Sequence, residues 1–313
     1  MLGKRHCLLL VLGCAALMMT SQLVAQTIWY EYESFEVPGA VYTRAFHISP
    51  QGHVVGRYTT GTNQCTRSAH SFVWKDGAFE YFDVPGAYTT TAEGINALGE
   101  VTGRFVNEPG TETDGGCTSN PYRGFIRTKR GEFLEITLPD AIWPGGNQIT
   151  PSGMVVGDFL DADCWPGGMN SPGCAHGFLL KRGSLYQIDY PGSNSTDVRS
   201  ISEAGDIVGT YGDSEDRQRG FLLSNGKFST VDFPGATVTW INDINPAGEM
   251  VGWARNSDQG WDVSFLLRTG KFIEIRFPDA VSTTAWGINA VGTVCGFWQG
   301  ADGIWRSFVA KRH

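Results

Sequence analysis

One short word recurs along this chain: Pro-Gly-Ala or a close variant, with its proline at Pro38, Pro85, Pro139, Pro191, Pro234 and Pro278, at separations of 47, 54, 52, 43 and 44 residues. A second word follows each copy, at Ile48-Ser49, Ile95-Asn96, Ile149-Thr150, Ile201-Ser202, Ile244-Asn245 and Ile288-Asn289. Three residues further on stands a turn glycine, Gly52, Gly99, Gly153, Gly205, Gly248 or Gly292. Then comes a short β-branched run ending in glycine, as in Val54-Val55-Gly56, and a variable loop. A third run carries a Phe in every copy (Phe72, Phe125, Phe178, Phe221, Phe265, Phe308), and a turn such as "SNGK" leads into a fourth run with alternating apolar residues. Four short strands per unit are the signature of an antiparallel propeller blade. The expected fold is therefore all-β: a six-bladed β-propeller of four-stranded antiparallel blades.

The two ends of the chain complement each other. "WYEYESFEVPGA" near the start is a fourth strand without the other three, with Tyr32 and Phe35 standing where Phe272 and Ile275 stand in a later copy; the end, "WRSFVAKRH", completes three strands and stops. Pairing the first strand with the last three is expected to close the ring and remove two sheet edges. The propeller is read over residues 26–313. The Asn-x-x-Gly words are read as hairpin turns in which Asn and Gly take positive φ. "GINALGEVTG" lies between two strands, with no helix to aim its amides at a phosphate.

Residues 1–25 read as a signal peptide: Lys4 and Arg5, an apolar stretch from Cys7 to Met19, then Leu23-Val24-Ala25. An uncleaved anchor and lipidation at Cys14 are the alternatives. The mature chain is expected to be secreted or periplasmic, without a membrane span and monomeric. A formal net charge of -8 leaves no broad basic face, which argues against nucleic acid as a partner. No cofactor is implied.

The words "AHSFVW" (69–74) and "CAHGFLL" (174–180), together with the pattern of "GINALGEVTG", are similar to the bacterial extracellular HAF-type repeat. The resemblance covers nearly all of the mature chain. Arg123, Arg219 and Arg306 stand where that repeat has His, and Val263 breaks the polarity. The family is a probable extracellular repeat without an established activity, so the resemblance implies export and repetition and carries no catalytic residue.

The loops between the second and third strands share one face with the connections between blades, and they are the longest and most polar stretches. Cys65, Cys117, Cys164 and Cys174 lie in them; in an exported chain they are read as two disulfides, Cys65 with Cys117 and Cys164 with Cys174, one of three pairings. A zinc site lacks a Cys-x-x-Cys pair. Cys295 is expected to be a buried free thiol. Asp158, Asp161, Asp163, Asp213, Glu215 and Asp216 are read as solvated loop charges rather than a calcium site, and no metal is expected. Trp165 and Trp261 are candidate anchors on the loop face for a glycan or peptide.

The channel mouth is the second candidate. Two positions before each inner-strand Ile stand Phe46, Glu93, Asn147, Arg199, Asn242 and Trp286; one position before stand His47, Gly94, Gln148, Ser200, Asp243 and Gly287. A ligand-contacting ring and a tolerant solvent channel both account for this variety, as does a plain Glu93–Arg199 pair. His47 and Asp243 with a Ser or Thr suggest a triad, and Glu93 with Asp243 a glycosidase pair, but no GxSxG or HExxH motif is present. The leading reading is a glycan- or peptide-binding module at the cell envelope, with no catalytic residue assigned. A channel hydrolase or lyase and a structural envelope component are the alternatives.

Overall fold

The computed structural model describes residues 30–61, 68–110, 112–113, 116–117, 121–162, 173–215 and 217–313; the side chains of 112, 113, 116, 117 and 261 fall outside that description. Residues 1–25, Cys65, Cys164 and Trp165 lie outside it as well. The strands are β1 (Tyr30–Phe35), β2 (Tyr42–Ile48), β3 (Val54–Thr59), β4 (Ala69–Lys75), β5 (Ala78–Phe82), β6 (Thr89–Ile95), β7 (Val101–Val106), β8 (Glu112–Thr113), β9 (Gly116–Cys117), β10 (Arg123–Arg127), β11 (Phe133–Ile136), β12 (Ala141–Ile149) and β13 (Val155–Asp161). The second half adds β14 (Ala175–Lys181), β15 (Ser184–Ile188), β16 (Ser195–Ile201), β17 (Ile207–Gly212), β18 (Gln218–Ser224), β19 (Lys227–Val231), β20 (Val238–Ile244), β21 (Met250–Asn256), β22 (Trp261–Arg268), β23 (Lys271–Glu274), β24 (Ser282–Ile288), β25 (Val294–Gln299) and β26 (Trp305–Arg312).

Four sheets are separate four-stranded antiparallel blades: β6-β7-β10-β11, β12 to β15, β16 to β19 and β20 to β23. The remaining eight long strands form one sheet, which corrects the expectation of six four-stranded blades. In it β2-β3-β4-β5 and β24-β25-β26-β1 are joined by a single parallel pair, Tyr42 with Trp305. The joint lies at the first residue of each of the two strands. The innermost strands β2, β6, β12, β16, β20 and β24 each touch the next, and β24 touches β2, so they surround a common axis in a β-propeller.

Closure follows the register read from the sequence. β1 pairs antiparallel with β26, setting Tyr32 opposite Ala310 and Ser34 opposite Phe308, as β23 sets Phe272 opposite Leu267 and Glu274 opposite Phe265. Tyr32 packs against Phe308 and Phe277, and Phe35 stacks on Trp74 at 4.1 Å between ring centroids. The six repeat Phe side chains are all fully buried and anchor the hydrophobic clusters between sheets. The repeat glycine does not end the second strand but is its third residue, and it makes room for them: a Cβ on Gly103 would lie 2.0 Å from the Thr91 carbonyl oxygen and 2.9 Å from the Phe125 ring.

The turn words work differently from the sequence reading in one respect. Their glycines take positive φ, but Asn96, Asn245 and Asn289 do not. Each Asn Oδ1 accepts backbone N–H bonds from two and four residues on, and each Nδ2 donates to the next repeat's turn, on Thr150, Asn289 and Ser49 respectively. The Asn is thus a turn cap and an inter-repeat tie together. Asn289 to Ser49 carries that tie across the closure.

Five of the six connections between repeats share a second device. The backbone N–H of Val37, Val84, Tyr190, Phe233 and Phe277 donates to the hydroxyl of a Thr six residues on: Thr43, Thr90, Thr196, Thr239 and Thr283. In the third repeat Pro144 occupies that place. There Trp143 is held at φ 55, and the β12–β13 register slips between Ile142 and Gly145.

Candidate functional site

Every innermost strand carries a β-bulge at the same place: the register shifts between Ala45 and His47, Ala92 and Gly94, Gly146 and Gln148, Val198 and Ser200, Ile241 and Asp243, and Ala285 and Gly287. The bulged residues are Phe46, Glu93, Asn147, Arg199, Asn242 and Trp286, one of the two variable columns. A bulge leaves its residue out of the ladder and re-aims it, and it disrupts the pairing next to it. The two columns consequently divide into two layers.

The column next to the Ile residues forms a floor across the axis. His47 Nε2 meets Gln148 Nε2 at 2.5 Å and Asp243 Oδ2 at 3.3 Å, reaching side chains from two other repeats. Asp243 also accepts from the Ser200 hydroxyl at 2.5 Å and from the backbone N–H groups of Ile244 and Ile288 at 2.8 and 2.7 Å. Gln148 Oε1 accepts from the Ile149 N–H, and His47 Nδ1 from that of Ile95. Gly94 and Gly287 leave the space that Gln148 and His47 fill. Behind the floor, toward the tight turns, lies a small cavity of about 60 Å³ lined by the repeat Ile and Asn residues.

The floor decides both catalytic arrangements that the sequence suggested. Ser200, Asp243 and His47 do come together, but the carboxylate stands between the other two, so the imidazole is not placed to activate the hydroxyl. Glu93 and Asp243 belong to different layers and form no pair.

On the loop side of the floor the bulged column meets a second ring that the sequence reading missed. This is the residue after each second-strand glycine: Arg57, Arg104, Asp158, Thr210, Trp253 and Phe297. Repetition up to that glycine followed by five different residue types in six copies was the signal. The two rings surround the axis on the loop side of the floor, and this region, the crater, has unlike walls. On one side Arg104 lies 3.6 Å from Glu93, 2.5 Å from Asn147 Oδ1 and 3.2 Å from Asp158 Oδ1; Asp158 also accepts from the Tyr122 hydroxyl at 2.9 Å and from Asn147 Nδ2 at 2.8 Å. Asp158 is thus a crater residue and not a loop charge. The Glu93–Arg199 pair, one of three readings of this column, is replaced by Glu93–Arg104 and by Arg199–Asp197 at 2.6 Å, because Arg104 and Asp197 lie nearer.

The other wall is aromatic. Trp240 stacks on Trp253 at 5.6 Å, Trp286 packs against Phe46 at 5.2 Å and Phe297 at 5.6 Å, and the Arg199 guanidinium lies 4.9 Å from the Trp240 ring centroid. Where the walls meet, Asp197 Oδ1, Arg199 Nε and Asn242 Oδ1 are buried without a hydrogen-bond partner.

The crater's depth splits its carboxyl groups. Burial pushes Glu93 up although Arg104, Arg57 and Arg199 pull it down. Burial, reinforced by Asp158 and Glu93, raises Asp197 to about 6 despite Arg199 beside it. For Asp158 burial acts in the same sense, but Arg104, Arg199 and the Asn147 and Tyr122 hydrogen bonds outweigh it and hold the carboxyl low. Groups in one cleft with their acidities driven apart are suited to ligand binding and to acid–base work.

The other candidates separate. Cys174 is disulfide-bonded, its partner lying outside the described side chains, and Cys295 is a buried free thiol pushed up by burial. Asp161 pairs with His176, and Asp213 with Arg217 and Arg219. Among the described residues there is no group of three or more His, Cys, Asp or Glu side chains arranged for a metal ion, and no helix long and apolar enough to cross a membrane.

No family model matches the chain, and no curated protein matches it. Among solved structures it is similar to the β-propeller domain of the Trilobed protease from Pyrococcus furiosus, at 8% identity over 88% of this chain and 95% of that one, with a TM-score of 0.51. It is also similar to a mutant of the Aleuria aurantia lectin in complex with Fucα1-6GlcNAc (8% identity, 90% and 96% covered, TM-score 0.50) and to a mutant of AofleA from Arthrobotrys oligospora (12%, 90% and 86%, 0.50). At these identities the likeness is one of fold.

Proposed function

We propose that this chain is a secreted six-bladed propeller of the extracellular HAF-type repeat class, its eight-stranded sheet acting as two blades, and that it binds a glycan in the crater. The observation that carries the reading is the pair of unlike walls. A sugar ring presents hydroxyls along its edge and C–H groups on its faces; the Glu93–Arg104–Asn147–Asp158 wall offers donors and acceptors to the first, and Trp240, Trp253 and Trp286 offer flat surfaces to the second. Asp197 Oδ1, Arg199 Nε and Asn242 Oδ1, buried and unpartnered, supply hydrogen-bonding capacity that a ligand can use. A propeller fold carrying a disaccharide, as in the Aleuria aurantia lectin complex, is a precedent for the scaffold. The leader read at residues 1–25 and the loop cysteines support export, with Cys65–Cys117 and Cys164–Cys174 as the proposed disulfides.

The test is a glycan array with a peptide library beside it, using the full mature chain. Retention of a glycan set that falls at least ~30-fold in Arg199→Ala and Trp286→Ala supports the reading, as expected for Arg and Trp anchors. Glycan binding that survives both substitutions, or selective retention of peptides, overturns it.

A hydrolase or lyase in the same crater is the second reading, favoured by the raised Glu93 and Asp197 beside the lowered Asp158, an arrangement that keeps an acid next to a carboxylate. Turnover in a glycoside screen that is lost in Glu93→Gln, with binding intact, distinguishes it from a binding module.

A further inference from the structure

The irregular third connection opens a second site. Five connections are pinned to their inner strand by a Thr hydroxyl; Pro144 cannot supply one, and next to it the chain turns through Trp143 at φ 55, a conformation that costs a bulky residue about 1–3 kcal/mol. Between this connection and the outer strands β10 and β11 lies a cavity of about 450 Å³. That volume falls within the range of small-molecule sites, roughly 300–1,000 Å³. It is separate from the crater, although Tyr122 borders both, with its hydroxyl donated to Asp158 and its ring facing Trp143 at 5.6 Å.

The lining is mixed. Ile136, Leu138 and Ile142 are aliphatic and cannot pair a hydroxyl, whereas Thr137 carries a hydroxyl, Trp143 an indole N–H and Tyr122 a phenol oxygen whose proton goes to Asp158. The charged contribution is the Arg123–Glu135 ion pair at 3.2 Å on the half-exposed lip, a guanidinium donor beside a carboxylate acceptor. A fully hydroxylated hexose would bury an unpaired hydroxymethyl group against the aliphatic wall, at a cost. A ring with vicinal hydroxyls on one edge and a methyl group on the other suits both sides.

We propose that this cavity is a ligand site for a 6-deoxyhexose, its methyl group against Ile136, Leu138 and Ile142 and its hydroxyls on Arg123 and Glu135. The site does not depend on the crater, so the two can fail separately. The experiment titrates the mature chain with methyl α-L-fucoside and methyl α-L-rhamnoside, and with the parent methyl galactoside and mannoside, by ligand-observed NMR. The expected result is saturable binding of at least one deoxyhexoside, about 10- to 100-fold tighter than its hydroxymethyl counterpart. It is lost in Glu135→Ala and Arg123→Ala, lip substitutions with little effect on folding, and unchanged in Arg199→Ala. Equal affinity for the parent sugars, no saturable binding of either deoxyhexoside, or loss of binding in Arg199→Ala with retention in the lip variants would overturn the proposal; the last outcome would assign the sugar to the crater.

Discussion

The floor and the crater lie one residue apart along six strands, yet they are built to opposite rules. In the floor the polar side chains interlock: Asp243 alone accepts three hydrogen bonds, two of them from N–H groups next to the bulges, and His47 Nε2 lies 3.3 Å from it. In the crater, Asp197, Arg199 and Asn242 each leave an atom buried and unpartnered. Variety between repeats therefore has two physical meanings. In the floor it is interlocking, with Gly94 and Gly287 giving way to Gln148 and His47; in the crater it is hydrogen-bonding capacity left open.

The contrast is tested most severely by Asp243→Ala, which strands two backbone N–H groups and the Ser200 hydroxyl in the interior. A loss of ~3–5 kcal/mol is expected in denaturant unfolding. A loss under ~1 kcal/mol would show that the floor is not structural. Gly94→Ala comes next: its Cβ would lie 2.5 Å from Gln148 Oε1 and 2.6 Å from the Asn147 carbonyl oxygen. Displacing that backbone is expected to cost about 1–3 kcal/mol, read as a lowered melting temperature.

The crater should answer to pH instead. Asp197 has its folded value raised to about 6, above an unfolded value of about 3.9, so the fold disfavours its ionised form. Its contribution to stability is fully present below the unfolded value, falls as pH rises, and levels off above the folded one. Unfolding free energy measured from about pH 4 to 7 should carry this downward slope, of order 1–2 kcal/mol, and Asp197→Asn should remove its share and leave that of Glu93, which burial also raises. Asp158, held low, acts in the reverse sense and at lower pH. Arg199→Ala is the smallest expected effect on stability, about 1 kcal/mol below pH 6, where Asp197 left without its ion-pair partner takes up a proton and the contact with Trp240 is what is lost, although it should be among the largest on glycan retention. A large stability loss from that substitution would move Arg199 from the ligand to the scaffold.

Much of this was legible residue by residue. The six Phe positions, the Tyr32 and Phe35 register and the ring closure follow from alternation and repetition, which local physics enforces strand by strand. The bulges were not legible, because an extra residue in a ladder exists only relative to its partner strand. Asp158 illustrates the consequence: alongside Asp161 and Asp163 it reads as loop charge, but β13 runs as far as Asp161, and the column after Gly157 faces the axis. Pro144 was readable as a departure from the Thr column, but the cavity beside it was not.

The architecture was written into the chain's own repetition, since a recurring pattern of strands and turns can bury its Phe column only by stacking one unit on the next around an axis. Which variable residues meet was settled in three dimensions. His47 reaches Gln148 across 101 residues of chain, and Arg104 reaches Asp158 across 54. Such encounters depend on the curvature of the ring and the aim of each bulge, which no single repeat encodes.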